Sequence, residues 1–177
     1  MEKLIEDYSI DEHIHRYACW TAARAASISR FSNKEICQFI EEIDLRNELE
    51  KLRKQQITLE VYREWFNHQV ENIFTIMENY ISGKEEGFFR NKSFGIGAKV
   101  ISIYVKTADV IPNRGLSAIS KVAFPPVDSY LLKGLKIKVK AWSGLDKEGF
   151  MNLINDLEKV NDNKPFWKLE SNWNSNS

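Results

Sequence analysis

The chain reads as an all-α protein, a single compact domain of about seven helices spanning residues 1–177. Apolar residues recur at i, i+3, i+4 and i+7 through most of its length. Helix-start signals stand directly ahead of several of those runs. Only 8 Gly and 4 Pro are present, too few turn formers for a loop-rich sandwich or a low-complexity chain.

Residues 1–10 read as a loosely held arm. Asp11 is placed to cap a first helix that runs through HIHRYACWTAARAAS. In it Ala18, Ala22, Ala25 and Ala26 share one low-bulk face suited to close approach by another helix, which predicts a homo-dimer through this alanine-rich helix. Ser32 and Glu35 form a capping box ahead of Ile36, Phe39, Ile40 and Ile43. Leu45, Leu49 and Leu52 keep a helical stripe through the charged stretch 44–56, as an extension or a second short helix. Thr58 opens a long helix whose inner side is Tyr62, Phe66, Gln69, Val70, Ile73, Met77 and Tyr80, ended by Ser82-Gly83.

The segment after Gly97 is open to two readings. Val100, Ile101, Ile103, Tyr104 and Val105 have strand propensity. As a helix, Val100, Ile101, Tyr104, Val105 and Ala108 form one apolar face, and a lone strand would have nothing to pair with, so helix is preferred. A short helical piece is expected around Leu116 to Val122. Pro125-Pro126 opens a helix with Asp128 in its first turn and Val127, Leu131, Leu135 and Val139 every four residues. Asp146 caps a last helix with Phe150, Leu153, Ile154 and Leu157 inward, and Phe166, Trp167 and Trp173 of the tail dock on the core. Residues 174–177 read as disordered.

Lys plus Arg balance Asp plus Glu at 25 each, but unevenly: residues 84–140 hold 11 basic against 4 acidic side chains. Such clustering is the footprint of a polyanion partner. Inside that stretch lies S-F-G-I-G-A-K. Two glycines just before a helix let an anion approach the backbone and its unpaired N–H groups. Lys99 follows them, and F-P-P-V-D places Asp128 at the start of a later helix.

This combination resembles the helix-hairpin-helix DNA glycosylase superfamily, of the bifunctional 8-oxoguanine glycosylase/lyase kind. There a Gly-hydrophobic-Gly turn precedes a catalytic lysine, and a Val-Asp pair opening a later helix supplies a catalytic aspartate. The resemblance spans residues 93–135, about a quarter of the chain. It departs where Ser93-Phe94 replace the family's Leu-Pro, and in a longer lysine-to-aspartate interval. It implies an all-helical glycosylase-like fold and DNA repair by a glycosylase/AP lyase without a cofactor. Lys99 would be the Schiff-base nucleophile and Asp128 the stabiliser of the cationic sugar. Arg90, Lys92, Gly95, Gly97 and Lys106 would bind the nucleic acid. Trp20, Phe89 or Trp167 would wall the pocket for a flipped base.

A second reading is a non-catalytic helical domain for nucleic-acid binding or protein interaction, in which Lys99 is a solvated first-turn lysine and Asp128 a plain helix-terminus aspartate. The two differ in one observable: the enzyme needs these side chains to converge in a groove, and the binding module sets them far apart. No metal site is expected from His13 and His15, which point to different sides of one helix. Cys19 and Cys37 read as buried free thiols. With an acidic amino terminus unlike a signal peptide and no apolar run near the ~20 residues that span a bilayer, a cytoplasmic protein off the membrane is expected.

Overall fold

A computed structural model describes residues 8–26, 31–82, 94–138, 142–162 and 164–173. Helices account for all the regular structure among them, with no strand. No helix among these residues is long and apolar enough to cross a membrane.

Helix α1 (Ile10–Ala25) begins earlier than its sequence predicts. Its cap is Ser9, not Asp11: the Ser9 hydroxyl accepts the Glu12 N–H at 3.1 Å, and Asp11 and Glu12 fill the first turn, where the helix dipole favours carboxylates. Tyr8 bonds the His13 ring at 2.8 Å, so the expected arm is already docked at residue 8, and residues 1–7 lie outside the described set. Ala18, Ala22, Ala23 and Ala26 are buried within the chain's own core. The alanine surface expected to join two copies is therefore largely occupied by the chain itself.

The capping box of α2 (Asn33–Glu42) forms as predicted, with Glu35 N–H on Ser32 Oγ at 3.3 Å and Ser32 N–H on Glu35 Oε2 at 2.6 Å. The charged stretch that follows is a separate helix, α3 (Leu45–Arg53), because Asp44 turns the chain with left-handed φ of 52°. Leu45, Leu49 and Leu52 face inward. In α4 (Leu59–Ser82) the predicted stripe from Tyr62 to Met77 is fully buried, and only Tyr80 leaves it, at 37% exposure.

The ambiguous apolar segment is helix α5 (Phe94–Val105), and it is central. Ten of its twelve residues are buried, and α1, α4 and α8 (Lys147–Asn161) pack around it. A helix that is apolar nearly all round has no solvent face to offer. It starts at Phe94, so Gly95 and Gly97 sit inside the first turn and not in a loop ahead of it. Their smallness allows close packing. A Cβ on Gly95 would run into the carbonyl oxygen of Trp142, and one on Gly97 would meet Ile73 and Val70 methyls of α4 at 3.2 Å.

Beyond Val105 the helix widens into a π-helical turn, Lys106–Val110, which aims Asp109 inward at 1% exposure. Arg53 of α3 donates from Nε to Asp109 Oδ2 at 2.9 Å and from Nη2 to the Ala108 carbonyl at 2.8 Å. Ser117 and Ser120, at the start of α6 (Ala118–Val122), also donate to Asp109. Helix α7 (Ser129–Gly134) is shorter than its four-residue repeat predicts, because Lys136 turns left-handed with φ of 57° just past its end; Val139 lies outside the described residues. Asp146 caps α8 as predicted, and the tail closes with 3-10 turns over Phe166–Asn172.

Two stability outcomes follow. Gly95→Ala should cost about 3 kcal/mol in urea unfolding, because backbone must shift, whereas Gly97→Ala should stay within about 1 kcal/mol of wild type, methyl crowding being offset by better helix propensity. Arg53→Met should cost about 2–3 kcal/mol, since it leaves the buried Asp109 carboxylate without its cation.

Candidate functional site

Helix α5 carries Lys99 one turn from its start, on a helix whose neighbours leave it 8% exposed. Val127 is buried and the backbone at Asp128 is extended, so the chain enters α7 with Asp128 as its N-cap. Asp128 Oδ1 accepts the Leu131 N–H at 2.9 Å. Its Oδ2 lies 3.8 Å from Lys99 Nζ, an ion-pair contact too long for a direct hydrogen bond. The two residues, 29 positions apart in sequence, thus converge through their side chains.

Two aromatic rings frame the pair, and neither was anticipated for this role. The Lys99 ammonium sits 4.6 Å from the centroid of the Trp142 ring. Trp142 opens the 3-10 turn Trp142–Gly144 that packs on α5, with its carbonyl against Gly95. Trp173 donates from Nε1 to both Asp128 oxygens, at 3.2 and 3.3 Å, and meets Tyr130 edge-on at 5.6 Å. At 49% exposure it is an outer cover on the carboxylate and not a core anchor. No sequence signal marks either tryptophan, since each reaches the pair from an irregular segment.

Electrostatically, the lysine is the strained member. Burial pushes its pKa below the ordinary lysine value, and the facing Asp128 carboxylate pulls it back up only in part. The net result favours the neutral, nucleophilic amine more than an exposed lysine would.

The other predicted site residues are dispersed. Lys106 is paired with Glu170 of the tail, so its charge is spent within the chain. The Gly95 N–H donates to the Leu145 carbonyl at 3.1 Å, and Gly97 is buried within the helix. Trp20 lies on the outer face of α1 at 46% exposure, stacked on Tyr17 and covered by the Arg24 guanidinium at 5.0 Å. Trp167 lies against Gly115 and lines a hollow of about 320 Å³ with Lys106, Val110, Ile111, Arg114 and Glu170. A larger cleft of about 970 Å³, among α1, α2, α3 and the π-helical turn, is lined by polar groups including Glu12, His15, Glu41, Arg46 and Arg53. Neither hollow includes Lys99 or Asp128. Arg90, Lys92 and Phe89 fall outside the described residues.

His13 and His15 diverge as their spacing predicts: His13 is bonded to Tyr8 at the surface, and His15 is buried. No protein-family model matches the chain, and no match was found among curated proteins or solved structures.

Asp128→Asn separates the two duties of Asp128. Asparagine caps a helix as well as aspartate, so stability should change little through the cap, whereas Asp128→Ala should cost about 1 kcal/mol. With the carboxylate gone, burial is unopposed, and the Lys99 amine should titrate at lower pH than in wild type. NMR titration of the lysine side-chain Nζ would show this; a rise on Asp128→Asn would contradict the assignment of forces.

Proposed function

We propose that the chain is a DNA-repair-type glycosylase and AP lyase of the cytoplasm, acting on a damaged base through a Lys99 Schiff base. The observation that carries this reading is the 3.8 Å convergence of a buried lysine and an N-cap aspartate. A solvated first-turn lysine would not be 8% exposed, and a buried lysine held below its usual pKa beside a carboxylate is the kind of pair that catalytic sites assemble. The resemblance over residues 93–135 adds the same two positions independently of their geometry.

In this mechanism the neutral Lys99 amine adds to C1′ of the target nucleotide as the glycosidic bond breaks and its electron pair leaves with the base. The amine then gives up a proton, the sugar ring opens, and a Schiff base joins Nζ to C1′. Asp128 stabilises the positive charge that develops on the sugar and holds its Oδ2 toward Nζ. Trp142 shields the amine from water on its far side. Trp173 swings off Asp128 to admit the flipped nucleotide. Arg90 and Lys92 supply positive charge for phosphates.

One set of observations favours a second reading, a non-catalytic helical binding or interaction domain. Lys106 is neutralised by Glu170, and the Gly95 N–H is taken by Leu145, which removes two of the anticipated phosphate contacts.

Borohydride trapping decides between them. The protein is incubated with duplex and single-stranded DNA carrying 8-oxoguanine or an abasic site, and the reductant converts any Schiff base to a stable amine. A covalent adduct should form with wild type, vanish in Lys99→Gln, and fall by about 10²–10⁴-fold in rate in Asp128→Asn. No adduct on any of these substrates, together with no salt-sensitive DNA binding, would replace the enzyme by the interaction domain.

A further inference from the structure

Helices α1 and α2 bring together a histidine, a cysteine and a carboxylate that the Lys99 chemistry does not use. His15 and Cys19 are one turn apart on α1, at 6% and 4% exposure. Glu41 of α2 faces them, with Oε1 at 2.8 Å from His15 Nε2. Cys19 Sγ stands 3.8 Å from that same nitrogen. One donor atom from each residue falls within 4.8 Å of the others.

We propose that His15, Cys19 and Glu41 form a binding site for a divalent transition metal of the zinc type. Tetrahedral coordination with ordinary Zn–N, Zn–O and Zn–S lengths needs donor atoms about 3.4–3.6 Å apart. The two pairs that share His15 Nε2, at 2.8 and 3.8 Å, lie either side of that spacing, and all three donors fall within 4.8 Å, so closing on an ion asks the exposed Glu41 side chain to swing toward Cys19. The donor set mixes imidazole, thiolate and carboxylate, which suits borderline ions such as Zn²⁺ and Co²⁺ over Mg²⁺ or Ca²⁺.

The surroundings fit a metal ligand. Tyr104 of α5 meets the other ring nitrogen, His15 Nδ1, at 2.7 Å. A hydrogen bond at Nδ1 fixes the ring's orientation and leaves Nε2 to bind the ion. Glu41 is solvent-exposed on its outer side, with side-chain exposure of 62%, which gives an ion a path in. His15, Glu41 and Tyr104 also line the 970 Å³ cleft, so a fourth position would open on a water-accessible space. That is the arrangement of a site with a replaceable water. Binding replaces the His15–Glu41 hydrogen bond by two bonds to the ion: the Nε2 proton leaves, Nδ1 takes up a proton, and Nδ1–H then donates to the Tyr104 hydroxyl, which had donated to it. It also displaces the thiol proton of Cys19 to solvent, a step opposed by the burial that pushes this thiol up to about 12.

The sequence hid this set. Cys19 follows His15 by four residues, but the third partner comes from another helix, and His13, the histidine nearest in sequence, lies on the other side of α1.

Titration with Co²⁺ tests the site. Wild type should take up one equivalent per chain and develop a near-ultraviolet thiolate-to-cobalt band. Zn²⁺ at 100-fold above its dissociation constant should raise the melting temperature by roughly 5–10 °C. Cys19→Ser should abolish the band. Glu41→Gln, a surface change that leaves the core intact, should weaken Co²⁺ binding at least about 10-fold. Cys37→Ser should keep the band. No band and no thermal shift in wild type, or a band that survives Cys19→Ser and is lost in Cys37→Ser, would overturn the assignment. Circular dichroism of each variant without metal confirms that it is folded.

Discussion

Everything in this fold turns on the enclosure of α5. Its neighbours cover it on nearly every side, so each residue it carries, apolar or not, is taken out of water. Glycine is required where another backbone or packed methyls come close, and lysine is forced to find company where it would otherwise be solvated. The perturbation of Lys99 is therefore a property of the helix as a whole. Neither Asp128 nor Trp142 creates it; they moderate a cost that packing imposes.

Polar joins repeat around this axis. Tyr104 of α5 reaches His15 of α1, Thr107 in its π-helical continuation reaches Thr21, and Asp109 reaches Arg53 of α3. Each pairs a group on or just beyond α5 with one from a distant part of the sequence. In an otherwise greasy core such bonds have steep distance dependence and fix rotation and register where apolar contact alone would tolerate sliding.

The helices themselves were largely written in the sequence. Ser32 with Glu35, the stripe from Tyr62 to Met77, and Asp146 ahead of Phe150 are local signals, and local physics decides them. The place of Asp128 at the start of α7 was also legible, because a proline pair punctuates the chain just before it, whereas the glycine pair ahead of Lys99 marks close packing inside α5 and not a turn before it. The partners of Lys99 and Asp128 were not legible. Trp142 and Trp173 come from irregular segments with no period to read, and Glu41 joins His15 only through the packing of two helices. Alanine spacing correctly marked a close-packed face on α1, yet spacing cannot say whether the neighbour is α5 or another molecule. The extent of α7 was overread for a related reason: an apolar period of four continues past Gly134, while the left-handed backbone at Lys136 ends the helix.

The division of labour within the Asp128 carboxylate has an evolutionary side. One oxygen secures the start of α7 and the other faces Lys99. Asparagine or serine at this position would preserve the first service and abolish the second. A lineage could thus lose the proposed Lys99 chemistry in a single step and keep its architecture, with nothing in its hydrophobic pattern to betray the loss. Under that proposal, position 128 would be the marker separating working descendants of such a chain from silent ones.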